Sequence, residues 1–317
     1  MDIKELAKKL RKKLKDDEIL RTLDESPKPI KVFPTGVLSV DYAMRVGGFP
    51  RSRIVELFGP ESCGKTTLCL ITIAKAQRRG VNVLFVDTEQ AFDPVYAESF
   101  GVKPELLMLC QPDTGEEAFK VMGTTLEETD KPMIIVLDSV ASMLPQREFD
   151  NDFGKETMGL QARMVSQGLR KLNGLVRKSG CTVIFTNQIR EKVGVVWGNP
   201  ETTPGGRVLK HYASVRLEIR PRAKIKDKAK KNIGQTIQVT VVKSKVAVPY
   251  NKGTYDFIYG YGIDMEKAFA TALLEGGIIK KIRGGYKYKD ISGDADELYK
   301  ELGKKRRKLL RKRLLKG

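Results

Sequence analysis

Residues 53–79 constrain this chain more than any other stretch. Ile54-Val55-Glu56-Leu57-Phe58 is a short apolar, β-branched run of the kind a buried strand needs. Gly59-Pro60-Glu61-Ser62-Cys63-Gly64-Lys65-Thr66 follows, which is G-x-x-x-x-G-K-T. From Lys65 the pattern turns helical, with Leu68, Ile71 and Ile73 among Ala74, Lys75 and Ala76. Strand, glycine loop and helix start are the context in which this motif cradles phosphate. Backbone N–H groups and the positive end of a helix dipole then face the anion. Gly59 and Gly64 allow a close backbone approach that side chains would block. Lys65 can reach β- and γ-phosphates, and the Thr66 hydroxyl can bind magnesium.

The rest of the chain repeats the alternation. Residues 81–87 read as a second strand ending in acids, with Thr88-Glu89 at its carboxyl end. An acid-rich helix over 115–129 precedes 133–138, an apolar run with Asp138 at its tip, the position that holds magnesium in such proteins. A helix over 156–178 and a strand over 181–186 follow. The expected fold class is α/β, a P-loop core whose mostly parallel twisted sheet is flanked by helices. Ligands gather at the carboxyl ends of such strands, where Glu89, Asp138 and Gln188 fall.

Charge points to the partner. Lys plus Arg number 58 against 39 Asp plus Glu, a net of +19, which suits a polyanion, nucleic acid first. No signal peptide and no apolar span of about 18 residues is seen, so a soluble, cytoplasmic protein without membrane contact is expected. Cys63, Cys69, Cys110 and Cys181 form no metal spacing and read as reduced, with Cys63 the one placed to react. His211 is the lone histidine, which excludes histidine-rich metal sites.

Two loops, 144–157 and 189–206, are too long to be bland connections. Trp197 sits in the second, where an indole either stacks on bases or folds back onto the core. Arg163, Arg170 and Arg177 recur at a seven-residue step and so line one helix face, a phosphate-backbone track. Residues 222–231 read as an exposed basic hairpin. The chain divides into an N-terminal helix and linker (1–29), a core (30–263) and a small α-rich C-terminal unit (264–317). Ile3, Leu6, Leu10 and Leu14 give the first helix a narrow apolar stripe that needs another surface to lie on. The last unit ends in a basic run, 304–313, to which Leu298, Leu302, Leu309 and Leu310 give a weak apolar face, and it is expected to bind duplex or incoming DNA.

The segments GPESCGKTTL, DTEQAFDPVYA, QPDTGEEA, VLDSVA, MGLQARMVSQGLRKL, FTNQIR, GNPETTPGG and YASVRLEIR resemble those of the bacterial RecA recombinase family in order and spacing, over about residues 30–263. The resemblance implies a RecA-like DNA-dependent ATPase. Such a protein uses ATP and magnesium (Mg2+), forms a homo-oligomer (a helical filament) on single-stranded DNA, and exchanges strands with double-stranded DNA in repair. It implies that Gly59, Pro60, Glu61, Ser62, Cys63, Gly64, Lys65, Thr66 and Thr67 hold the triphosphate and the metal. Glu89 is then the general base, and Asp138 with Ser139 the second metal-side element. Asp93 and Tyr96 flank adenine, with Tyr259 and Gly260 closing it from a neighbouring subunit. Gln188 senses the γ-phosphate, and Lys243 and Lys245 reach the next subunit's ATP. Arg163, Arg170, Val196, Trp197, Gly198, Asn199, Gly205 and Gly206 resemble DNA-contacting positions. This sequence departs from the family at His211, where a phenylalanine usually packs at the subunit interface, and in its basic rather than acidic tail. The competing readings are a ring-forming helicase on the same core and an ATP-dependent DNA-binding scaffold that does not recombine DNA.

Overall fold

A strand buried on both faces has no polar side to offer water, so helices must cover it above and below. The computed structural model, which describes residues 2–15, 20, 22, 30–152, 159–191 and 201–315, is built that way. Its main strands are β1 (Arg53–Gly59), β2 (Val83–Asp87), β3 (Leu107–Cys110), β4 (Ile134–Asp138), β5 (Thr182–Gln188), β6 (Val215–Lys226), β7 (Asn232–Ser244), β8 (Lys252–Ile258) and β9 (Gly262–Ile263). They form one nine-stranded sheet in the order β9-β8-β7-β6-β1-β5-β4-β2-β3. The half from β6 to β3 is parallel, and β6 to β9 continue it as antiparallel neighbours. Every residue of β2 and of β4 is buried.

The helices are α1 (Ile3–Leu14), α2 (Leu38–Ala43), α3 (Lys65–Gln77), α4 (Pro94–Ser99), α5 (Gly115–Glu128), α6 (Leu160–Ser179), α7 (Val208–Tyr212), α8 (Met265–Glu275) and α9 (Ala295–Leu314). Successive residues of a strand serve opposite cores. Val136 and Ile184 pack with Leu68 and Ile73 of α3, whereas Ile135 and Val183 pack with Met122 of α5 and Leu169 of α6. Helices α5 and α6 approach closely because α6 has Gly168 at the contact, where a Cβ would meet the Phe119 ring at 2.4 Å. The expected helix over 156–178 starts at Leu160, after Gly159 at φ 79°; residues 153–158 lie outside the described residues. The hairpin joining β6 and β7 is exposed at its basic tip, as expected.

The contacts divide the chain into residues 1–31 and 32–317. In the first unit α1 is amphipathic, and Ile3, Leu6, Leu10 and Leu14 are all exposed on it. Among the described residues no helix is long and apolar enough to cross a membrane.

The C-terminal region differs from the expected helical unit in two respects. Between α8 and α9 lies a three-stranded antiparallel sheet, β10 (Lys280–Ile282), β11 (Gly285–Tyr288) and β12 (Ile291–Gly293). The basic run also belongs to a helix packed on the rest of the unit. Helix α9 kinks at Gly303, and both halves are apolar on one side. Leu298, Leu302, Leu310 and Leu314 are buried with Phe269 and Leu273 of α8 and Leu38 of α2, while Leu309 points outward. Spacing alone does not separate Leu309 from Leu310, because the kink resets the helical phase.

An ion pair anchors this packing. Arg311 donates to the fully buried Asp41 at 2.6 Å. The Thr35 backbone N–H and hydroxyl each donate to the other Asp41 oxygen at 2.8 Å. Burial outweighs these partners and raises the Asp41 carboxyl to about 6. A folded-state value above the unfolded one means that the contribution of Asp41 is most favourable at low pH and declines as pH rises through about 4 to 6. Arg311→Met strands the buried carboxylate and should destabilise the chain by about 3–5 kcal/mol at pH 8. The loss should shrink at pH 5, where Asp41 is protonated and needs no counter-charge. Urea unfolding at the two pH values checks this; an equal loss at both would mean that Arg311 acts by packing alone.

Candidate functional site

The carboxyl ends of β1, β2, β4 and β5 converge on a cleft of about 610 Å3. Its floor is the turn from β1 into α3. Gly64 stands at φ 85° with nothing near the position of a Cβ, so the turn needs glycine for its backbone conformation. Gly59 is required for space: a Cβ there would meet the Ile219 carbonyl oxygen at 2.1 Å. Helix α3 begins at Lys65, so its unpaired first-turn N–H groups and positive dipole end face the cleft. The Lys65 ammonium folds over the loop and donates to the carbonyls of Pro60 at 2.6 Å and Gly59 at 3.2 Å. Gln235 of β7 fixes the loop from the other side by donating to the Ser62 carbonyl at 3.0 Å.

Cys63 lines this cleft but differs from expectation. Its side chain is turned under the loop and only 1% exposed. Burial pushes the thiol above its ordinary range, with Lys65 opposing. A protonated, covered thiol is a poor nucleophile, so Cys63 packs the loop instead of reacting.

Asp138 ends β4 beside Asp87 of β2. It accepts from the Thr66 hydroxyl at 2.6 Å and also from the Thr186 hydroxyl of β5. Burial raises its carboxyl above the ordinary range, and the two hydroxyls act in the opposite direction. A hydroxyl and a carboxylate in contact are hard oxygen donors that fit magnesium. Thr186 was not singled out from the sequence. The signal was there, since it lies two residues before Gln188 and so shares its face of β5.

Glu89 stands on the turn after β2. Its Oε1 accepts from Ser139 Oγ at 2.6 Å and from the Gln188 amide at 3.4 Å. Asp87, also missed from sequence, shapes that turn: its carboxylate accepts from the backbone of Glu89 and Phe92 and from the Gln111 side chain. Tyr96 comes from α4, which Asp93 caps, and exchanges a hydroxyl hydrogen bond with Thr67 at 2.9 Å. Tyr259 and Phe257, at the end of β8, line this same cleft. The expectation that Tyr259 arrives from a neighbour is therefore corrected: β7 places β8 close enough to the loop for the chain to supply it. Gly260 follows at φ 75°.

Gln188 is the last residue of β5 and opens the long loop. Asn187 clamps the loop's two ends, donating to the Pro204 carbonyl at 3.1 Å and to the buried Glu56 at 3.2 Å. Arg190–Glu191 and Glu201–Thr202 pair antiparallel at its base. Val196, Trp197, Gly198 and Asn199 lie outside the described residues. Gly205 and Gly206, at φ 80° and 72°, pack against the start of α6; a Cβ on Gly205 would meet Val140 at 2.9 Å. Arg163, Arg170 and Arg177 are exposed on α6.

Lys243 and Lys245 do not reach the cleft. Both donate to the His211 carbonyl at 3.0 Å, and Lys243 also to that of Lys210, at the end of α7. Burial pushes Lys243 below its ordinary range, and neighbouring Lys245 adds to this. His211 itself is exposed.

The sequence of this chain is similar to those of known proteins. The family model for the RecA N-terminal domain matches residues 1–264. The chain is 47% identical over 273 residues to Protein RecA of Caldanaerobacter subterraneus subsp. tengcongensis, covering 86% of this chain and 79% of that one. It is 46% identical over 294 residues to Protein RecA of Chloroherpeton thalassium, covering 92% and 82%. Protein RecA of Heliobacterium modesticaldum is 47% identical over 273 residues, covering 86% and 78%. The chain belongs to the RecA family.

Proposed function

We propose that this RecA-family chain is an ATP-dependent DNA recombinase that assembles on single-stranded DNA as a helical filament and pairs it with homologous duplex. One observation carries the reading. The Glu89 carboxylate, at the mouth of a P-loop cleft, is held by Ser139 and by Gln188, and Gln188 opens the 189–206 loop. A group that binds nucleotide is thereby one residue from a segment that can bind DNA.

In this reading Lys65 and the N–H groups at the start of α3 hold the phosphates. Thr66 and Asp138 hold magnesium, which supplies Lewis-acid charge when bound. Glu89 takes the proton from the attacking water, and Ser139 fixes the carboxylate for that task. Gln188 donates to the γ-phosphate in competition with Glu89, and its movement is passed to the loop clamped by Asn187. Tyr96, Asp93, Tyr259 and Gly260 flank the base. Lys243 and Lys245 lie outside their own cleft and so serve a neighbour's, as a cation supplied in trans. Arg163 and Arg170, with Gly205, Gly206 and the loop residues Val196 to Asn199, track the strand.

Duplex DNA is read onto the outward face of α9. Lys304, Lys305, Lys308 and Lys312 are exposed there, on a helix whose other side is fixed in the core. Such a face holds phosphates without reading sequence.

Three measurements follow from this reading. ATP hydrolysis should rise when single-stranded DNA is added, and Glu89→Gln should slow it by about a hundredfold or more with nucleotide binding kept; unchanged turnover would remove Glu89 as the base. Lys245→Ala and Lys65→Ala should each be inactive in DNA-stimulated hydrolysis, yet mixtures should recover activity at interfaces pairing an intact loop with intact lysines. A mixture as inactive as its parts would mean that Lys245 acts within its own subunit or not at all. Finally, changing the four α9 lysines to glutamine should lower the log–log salt slope of duplex binding by roughly 2–4 with folding intact. A slope that stays the same would exclude this face.

A further inference from the structure

A second cleft, of about 350 Å3, lies between the C-terminal half of α3, the end of α4 and the segment joining β9 to α8. None of its lining residues lines the nucleotide cleft. Ile71, Ala74, Phe100, Ile263 and Met265 form its apolar side, and Lys75, Arg78, Ser99 and the exposed Tyr261 form its larger polar side. Gly262 permits this shape: it sits at φ 103°, where a Cβ would meet the Phe100 ring at 2.5 Å.

Two cations stand on the polar side, the half-buried Lys75 and the exposed Arg78 of α3. Neither side chain has a hydrogen bond or ion pair among the described residues. Burial holds Lys75 below its ordinary range, and Arg311, Arg78 and Arg79 add to this as like charges. The one acid that counters them there is Asp41, whose carboxylate is already engaged by Thr35 and Arg311. Positive charge thus gathers on one side of the cleft without an internal partner. A cleft of this size in which an apolar side faces a few convergent charged groups has room for a small amphipathic molecule.

We propose that this cleft binds a small organic anion, an apolar or aromatic body bearing one carboxylate, sulfonate or phosphate group. The body rests on Ile71, Phe100 and Met265, and the anionic group meets Lys75 and Arg78. The site adjoins the nucleotide cleft through α4, since Phe100 packs edge-on against Tyr96 with ring centroids 4.8 Å apart.

The test uses 8-anilinonaphthalene-1-sulfonate as the probe on the full chain, with the nucleotide cleft saturated by magnesium and a non-hydrolysable ATP analogue. Fluorescence titration and calorimetry should give one site. Lys75→Gln and Arg78→Gln should each weaken it about tenfold or more, the usual effect of losing a charge-assisted hydrogen bond. Thermal melting confirms that each variant is folded. Ser99→Phe, which fills the cleft from its exposed rim, supplies an independent variant and should abolish binding. Native affinity in both cation variants, native affinity in Ser99→Phe, or loss of the probe on saturation with nucleotide would each overturn the proposal.

Discussion

The buried carboxylate of Asp138 is the interaction on which the site depends. A charge taken out of water at a strand tip is costly unless donors surround it. Here they come from two other elements: Thr66 on the first turn of α3 and Thr186 on β5. The same contacts that make the charge tolerable also join three elements. The end of β4, the phosphate loop and the strand leading to the 189–206 loop are fixed relative to one another by one side chain. Burial keeps the carboxyl raised, which leaves Asp138 ready to gain from a cation placed against it.

A second set of polar contacts runs outward from this point. Ser139 and Gln188 share Glu89, and Asn187 next to Gln188 reaches across to Pro204 and down to Glu56. Glu56 is held in turn by Arg216, whose guanidinium lies over the Phe58 ring. Each group is satisfied by the next, so the contacts form one connected network.

The C-terminal region shows how charge and packing divide one helix. The basic run looks like a solvated arm when counted, and its outward face remains strongly cationic. Its inward face is held by Leu310, Leu314 and the Arg311–Asp41 pair, which makes α9 part of the fold. The cations are therefore presented on a fixed surface.

The sequence by itself determined the core of this protein. Local chemistry is enough to specify the P-loop: a buried strand, two glycines and a helix start leave few alternatives, and Asp138 and Glu89 follow as acids at strand tips. The alternation of strands and helices likewise determined the parallel sheet. Only the tertiary structure decided what depends on distant residues meeting. Thr186 became a partner of Asp138 because β5 pairs with β4, and Tyr259 entered its own chain's cleft because the antiparallel strands fold back beside the loop. Cys63 lost its expected reactivity because its thiol turned inward, a choice of direction that spacing does not encode. Arg311 found Asp41 across 270 residues of sequence. Periodicity reports which face of an element is apolar; it does not report what that face will touch.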